Sequence, residues 1–250
     1  MPFPYVVRFV SMGSGAGKTR VARRVLELLK RRGYLVGVIK HCSHGIVLEE
    51  KDSSEYLEGG ADVVVVSSPN LAIIYKADHL DALKSSVQFL KTPIVIVEGY
   101  KGEILGDAVL IVRNQVELEE LHSHVSSAIA VVSQADLSYI PSELRFFKFG
   151  DESELTQLIE KRALDFFFDQ LPRTNCQMCS RFSCYELLLA FLRGEADWCP
   201  AVSGVKLIVN GIEVPLNAFV KNIISSTIKG MLQSLRGVPS DQREITLIIK

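Results

Sequence analysis

An α/β architecture, a mostly parallel sheet with helices on both faces, is predicted by three observations. The apolar, β-rich run Tyr5–Val10 passes directly into Ser11-Met-Gly-Ser-Gly-Ala-Gly-Lys-Thr19. A helical pattern follows, with Val21, Val25, Leu28 and Leu29 on one face and Gly33 as its stop. Further short runs, Leu35–Lys40, Ile94–Val97, Ala108–Val112 and Ser127–Val132, are apolar except for the terminal Lys40 and Ser127, as strands covered on both faces of a parallel sheet require.

Strand, glycine-rich loop, Lys-Thr and helix, in that order, form the context of a phosphate-binding loop, so the predicted class is P-loop NTPase-like. The backbone of Gly13, Ser14, Gly15, Ala16 and Gly17 would turn its N–H groups inward, and the helix start adds positive potential. Lys18 would reach the terminal phosphates, and the Thr19 hydroxyl would ligate Mg²⁺. The pattern G-x-x-x-x-G-K-[ST] is broken once, by Met12 at the first glycine. The plainer alternative is a glycine-rich turn with a chance Lys-Thr.

Composition narrows the remaining classes. The 250 residues suit one or two domains. With 48% hydrophobic residues the chain can bury a sizeable core, and a net charge of −1 gives no general attraction to nucleic acid or anionic membranes. No apolar run approaches the ~20 residues of a membrane span, and Met1-Pro-Phe-Pro lacks the charged start of a signal peptide. A cytoplasmic protein is expected, where five cysteines argue poorly for disulfides.

The Leu35–Lys40 strand ends in Lys40-His-Cys-Ser-His44, where a doubly wound sheet places site residues. His41, Cys42 and His44 are either a metal trio, though their crowding does not match a usual zinc spacing, or a phosphate- or substrate-facing loop. Asp52 opens a short helix, as a plain N-cap or as a carboxylate near Mg²⁺. Val63–Ser67 and Leu71–Tyr75, joined by Ser68-Pro-Asn70, form a hairpin. A helix over 78–90 follows, and Thr92-Pro93 breaks it before the Ile94–Val97 strand. That strand ends in Glu98-Gly99, and an apolar strand closing on a carboxylate is what the second half of a P-loop site needs to hold Mg²⁺ or its water. Past Val132, Asp136 is the one residue kept of the Asn-Lys-x-Asp with which P-loop proteins read guanine, and it is a candidate base reader or a loop cap. A short strand at 146–149 and a helix from Glu152 to Phe168 close this part.

The loop with its displaced glycine, Val38-Ile-Lys-His41, Asp52-Ser-x-Glu-Tyr56, Gly60-Ala61 and Ile96-Val-Glu-Gly-Tyr-Lys101 together resemble the molybdopterin-guanine dinucleotide biosynthesis protein B family, over roughly residues 4 to 165. The resemblance implies a GTP-binding protein with weak GTPase activity. Such proteins are typically homodimers that assist the nucleotidyltransferase attaching GMP to molybdopterin in molybdenum- or tungsten-cofactor maturation. It places GTP and Mg²⁺ at Gly13–Thr19, with Arg20 beside them and Glu98 as the acid on the Mg²⁺ side. Lys18 and Glu98 are the expected catalytic residues. Turnover should be slow, because only Arg20 or Arg113, chosen by residue type, offers an arginine finger in cis.

Cys176, Cys179, Cys184 and Cys199 are separated by gaps of two, four and fourteen residues, and Pro200 follows the last. A zinc ribbon would more often show two Cys-x-x-Cys pairs, whereas three close cysteines and a distant Cys-Pro suit a cubane with four thiolates. The stretch resembles the four-cysteine [4Fe-4S] domain of corrinoid iron–sulfur proteins, with Gln177 and Ser180 replacing its usual glycines. Zinc is the alternative. After it, Val205–Pro215 is a hairpin about Asn210-Gly211, then a helix over 217–235 and a strand at 244–249. The predicted division is 1–170, a GTP-binding domain; 171–202, an iron–sulfur module; and 203–250, a small docking unit. The rival functions are an ATP-using kinase or ligase, and an electron-transfer or metal-delivery protein timed by nucleotide.

Overall fold

The computed structural model describes residues 2–41, 55–56, 58–61, 63–76, 83–177, 179–201, 205–209, 212–214, 216, 218–233 and 235. Strands β1 (Tyr5–Val10), β2 (Val36–Lys40), β5 (Ile94–Glu98), β6 (Asp107–Ile111), β7 (Ala128–Val132) and β8 (Arg145–Phe147) form one sheet in the order β2-β5-β1-β6-β7-β8. Every pairing in it is parallel. The α/β class read from the sequence is therefore the observed one. β1 lies inside the sheet and is buried along its whole length. Its side chains alternate between the two faces of the sheet, as the pleat demands.

Tyr5, Val7 and Phe9 enter the largest core. Two helices cover it. α1 (Lys18–Arg31) supplies Val21, Ala22, Val25 and Leu29, and α4 (Glu152–Phe168) supplies Leu155, Ile159, Ala163 and Phe167. These residues recur every three or four positions, so each helix buries one stripe. Val6 faces the opposite way, with Val95, Val97 and the Leu83 and Val87 of α2 (Leu83–Val87). Val10 joins Ala108, Leu110 and the Leu118 and Leu121 of α3 (Gln115–His124).

α3 has no counterpart in the sequence reading, which ran from the β6 strand directly to the β7 strand. Its signal was a cap. Asn114 Oδ1 accepts from the Glu117 N–H at 3.0 Å, and the Glu117 carboxylate accepts from the Arg113 N–H at 2.8 Å. The 78–90 helix is described only as α2, and the strand expected at 244–249 lies outside the described residues.

Strands β3 (Val63–Ser67) and β4 (Ala72–Lys76) make an antiparallel ribbon that pairs, among the described residues, only with itself. Past α4, helix α5 (Cys184–Arg193) sends Leu187, Leu188, Phe191 and Leu192 into the α1–α4 core. Leu35 N–H donates to the Leu192 carbonyl at 2.8 Å, and Gly194, left-handed at φ 75°, ends the helix. A second ribbon, β9 (Leu207–Val209) with β10 (Ile212–Val214), and helix α6 (Ala218–Gln233) complete the chain described.

A polar cluster ties the amino end of the sheet to α4. Asp107, buried at the start of β6, accepts from Tyr5 Oη at 2.7 Å and from Arg162 Nε and Nη2 at 2.8 and 2.9 Å. Burial, then the charge of Asp107, pushes the Tyr5 hydroxyl well above its ordinary value, so it stays a donor. Removing the carboxylate takes the acceptor from three donor atoms, one on Tyr5 and two on Arg162. Asp107→Ala should lower the unfolding free energy by about 3 kcal/mol in urea titration without altering binding at the opposite, carboxyl end of the sheet.

Candidate functional site

The carboxyl ends of β1 and β5 meet where the chain departs to either side of β1, the crevice in which open α/β sheets place ligands. Both strand ends are polar. Ser11–Gly17 leaves β1 and opens α1, and its left-handed residues are Gly15 (φ 78°) and Gly17 (φ 95°). Met12 is not left-handed, and its side chain packs on the α3-side core. That accounts for the missing first glycine. Gly17 is doubly constrained, because a Cβ there would lie 2.7 Å from the Phe149 ring.

Lys18 Nζ donates to Ser11 Oγ at 2.6 Å and to the Gly13 carbonyl at 2.9 Å, while Ser11 Oγ donates to the same carbonyl at 2.6 Å. Desolvation lowers the Lys18 ammonium from its ordinary value. Thr19 Oγ1 donates to Glu98 Oε1 at 2.7 Å. The expected helix-start hydroxyl and strand-end carboxylate are thus neighbours across 79 residues of chain. Glu98 is fixed by register: it pairs with Phe9 on β1 and Lys40 on β2. The Gly99 N–H donates to the Phe9 carbonyl at 3.1 Å, and the His41 N–H to the Glu98 carbonyl at 3.0 Å. The His41 ring lies 4.7 Å from that of Tyr100. Cys42, His44 and Asp52 lie outside the described residues.

The other candidates divide. Asp136 accepts from Lys148 Nζ at 3.0 Å, and its side chain is 93% exposed. Lys148 precedes Phe149, which packs against Gly17 and lies 5.5 Å beneath the Arg20 guanidinium. The Asp136 loop and the phosphate-type loop are therefore joined through Lys148 and Phe149, two residues the sequence reading did not single out. Arg113 is engaged elsewhere: its Nε donates to Glu117 Oε1 at 2.7 Å, which holds the Glu117 carboxyl below the usual range. A cleft of about 420 Å³ along α1 is lined by Arg20, Arg23, Arg24, Glu27, Thr19 and Glu152.

The cysteines depart from expectation. Cys184 and Cys199 are buried in the α1–α4 core, Cys179 packs at its margin, and Cys176 is exposed. Among the described residues no three His, Cys, Asp or Glu side chains converge to hold a metal ion, so the four-thiol set is not gathered. The reason is anchoring: Cys184 is held in α5, whose Ser183 cap accepts from the Glu186 N–H, and Cys199 follows Trp198, whose ring packs on Phe191 and Phe167. Cys176 is exposed, on the loop whose Asn175 Oδ1 accepts from the Cys184 N–H at 2.9 Å.

A parallel sheet that delivers a glycine-rich loop, Lys-Thr and a carboxylate to one crevice defines the P-loop NTPase-like class of α/β protein. Within it, the family model for MobB, molybdopterin guanine dinucleotide synthesis protein B, matches residues 6–134. A putative molybdopterin-guanine dinucleotide biosynthesis adapter protein of Methanocaldococcus jannaschii is 24% identical over 232 residues, 89% of this chain and 88% of its own. A probable adapter protein of the same description from Bacillus subtilis is 30% identical over 128 residues, 49% of this chain and 72% of its own. The crystal structure of Bacillus subtilis MobB superposes with a TM-score of 0.53 at 24% identity, over 64% of this chain and 98% of that one. The MobB homolog from Bacillus stearothermophilus gives 0.50 at 22%, over 64% and 96%. The chain belongs to the MobB family.

Gly17→Ala should destabilise the fold by about 1–3 kcal/mol, since alanine at φ 95° is strained and its Cβ displaces Phe149. Gly13→Ala, in open space and without positive φ, should change stability by less than about 0.5 kcal/mol. Urea unfolding of both variants makes the comparison.

Proposed function

We propose that this chain is a GTP-binding adaptor with weak GTPase activity in molybdenum-cofactor biosynthesis. The observation that carries this reading is the Thr19–Glu98 hydrogen bond, which unites the loop after β1 with the acid after β5. Gly13–Thr19 bind the phosphates, with Lys18 as the phosphate cation and Arg20 at the rim. Asp136, beside Lys148 and Phe149, is the candidate base reader. Thr19 and Glu98 supply oxygen donors of the kind Mg²⁺ takes, and that ion, when bound, neutralises phosphate charge. Hydrolysis is slow because Arg113 is committed to Glu117 and Arg20 to Phe149. The partners are the nucleotidyltransferase that attaches GMP to molybdopterin, and molybdopterin itself, in the cytoplasm. This role follows from the family, whose relatives are described as adapter proteins of molybdopterin-guanine dinucleotide biosynthesis.

The protein is a homodimer in this reading. The β3–β4 ribbon leaves Val65 60% and Ile74 66% exposed, and a ribbon apolar in this way is covered by a second copy. Residues 1–170 are the GTP-binding unit, 171–202 the cysteine module and 203–250 a docking unit.

Cys176, Cys179, Cys184 and Cys199 are the ligands of a [4Fe-4S] cluster, with zinc the competing metal. Two features of this chain support a thiolate site. Gln177 and Ser180, each one residue after a cysteine, are left-handed at φ 60° and 58°, a conformation L side chains adopt rarely. Trp198 Nε1, next to Cys199, is a buried donor without a partner among the described residues, and a cluster sulfur would accept from it. Binding requires the exposed Cys176 to turn inward.

Lys18→Ala should lower GTP affinity about 100-fold, the loss of charge-assisted phosphate contacts, and leave metal content unchanged; unaltered affinity would remove the site assignment. ATP competing as well as GTP would favour a kinase or ligase. In anaerobically purified protein, iron and acid-labile sulfide should each be about four per chain, whereas about one zinc without sulfide would make the module structural.

A further inference from the structure

We propose that Lys101 is a second phosphate-contacting cation of this site, the residue by which it distinguishes a nucleoside triphosphate from a diphosphate. The inference rests on the nucleotide-binding reading given above. Its ground is the path of the chain after Glu98. Gly99 and Tyr100 are both left-handed, at φ 102° and 57°, and two such residues in succession turn the backbone sharply from the line of β5. The turn returns Lys101 to the glycine-rich loop, where its Nζ donates to the Met12 carbonyl at 3.3 Å. Lys18 Nζ donates to the next carbonyl, that of Gly13. Two ammonium groups from distant parts of the chain thus rest on adjacent carbonyls of one loop, and the Glu98 charge acts on Lys18.

The turn is held from beneath. Arg8, on β1, is fully buried, and its Nη1 donates to the Tyr100 carbonyl at 3.2 Å while Nη2 donates to the Ser126 carbonyl at 2.8 Å. The Gly99 N–H is bonded to β1, and the Tyr100 ring packs on His41. Lys101 itself is exposed, so its head can leave a neutral carbonyl for an ionised phosphate oxygen, the stronger acceptor. It reaches the loop from the β5 side, the side on which Glu98 meets Thr19. The terminal phosphate, which shares the metal ion in P-loop sites, lies on that side. The charge of Lys101 also contributes to the lowering at Lys18, as two like charges at one anion site do. Neither Arg20 nor Arg113 offers an uncommitted head there.

The test compares GTP and GDP binding, with Mg²⁺, to the full-length protein, Lys101→Ala and Lys101→Arg. Lys101→Ala should weaken GTP at least about tenfold and leave GDP unchanged, and Lys101→Arg should restore most of the preference. Equal losses for GTP and GDP would overturn the proposal, since Lys101 would then only brace the Met12 carbonyl; so would an unchanged ratio. Wild-type protein that binds neither nucleotide would overturn the nucleotide reading itself. Matching thermal unfolding midpoints of the three proteins exclude a folding defect at this exposed position.

Discussion

The parallel register between β1 and β5 is the constraint on which the site depends. It sets Phe9 opposite Glu98, so the loop leaving β1 and the acid ending β5 emerge at one level. One residue of slippage would turn Glu98 to the other face and carry it about 3.3 Å along the strand. Register is secured by what lies beneath. Val7, Phe9, Ile94 and Ile96 are all buried in the α1–α4 core, and a slip would exchange that whole set for the residues of the opposite face. The Asp107–Tyr5–Arg162 cluster then holds the other end of the sheet.

Arg8 is the exception to an otherwise apolar β1. A fully buried guanidinium costs desolvation energy that two carbonyl partners offset only in part, and burial lowers its proton affinity. Its Nε has no partner among the described residues. What the side chain secures is a pair of turns, those at Tyr100 and Ser126, each beside a left-handed residue. A polar group in a core is tolerated where it fixes backbone that hydrophobic contact would leave free.

The cysteine module shares the main core through Leu187, Leu188, Phe191 and Leu192, whereas the β3–β4 ribbon leaves its apolar side chains outside. The same hydrophobic effect produces both arrangements. The helix finds a partner surface in its own chain, and the ribbon, with only two strands, cannot form one.

Parallel strands covered on both faces are written as unbroken apolar runs, and glycine-rich turns as their own residues, because both depend on neighbours within a few positions. For that reason β1, β5, β6 and β7, the Gly13–Thr19 loop, the strand-end Glu98 and the β3–β4 hairpin were legible from the chain alone. α3 was not, since it buries few apolar residues and relies on the Asn114 and Glu117 cap more than on a hydrophobic stripe. The Thr19–Glu98 contact, Lys148 and Phe149 under Gly17, Arg8 beneath Tyr100 and Lys101 above Met12 were decided only in three dimensions. Each joins residues far apart in sequence through strand register or a left-handed turn, and neither has a period that a linear pattern can display. The sequence by itself determined the class of fold and the glycine-rich loop that opens α1. Tertiary structure decided which acid, cation and ring stand around that loop, because only the packed sheet brings their separate strand ends together.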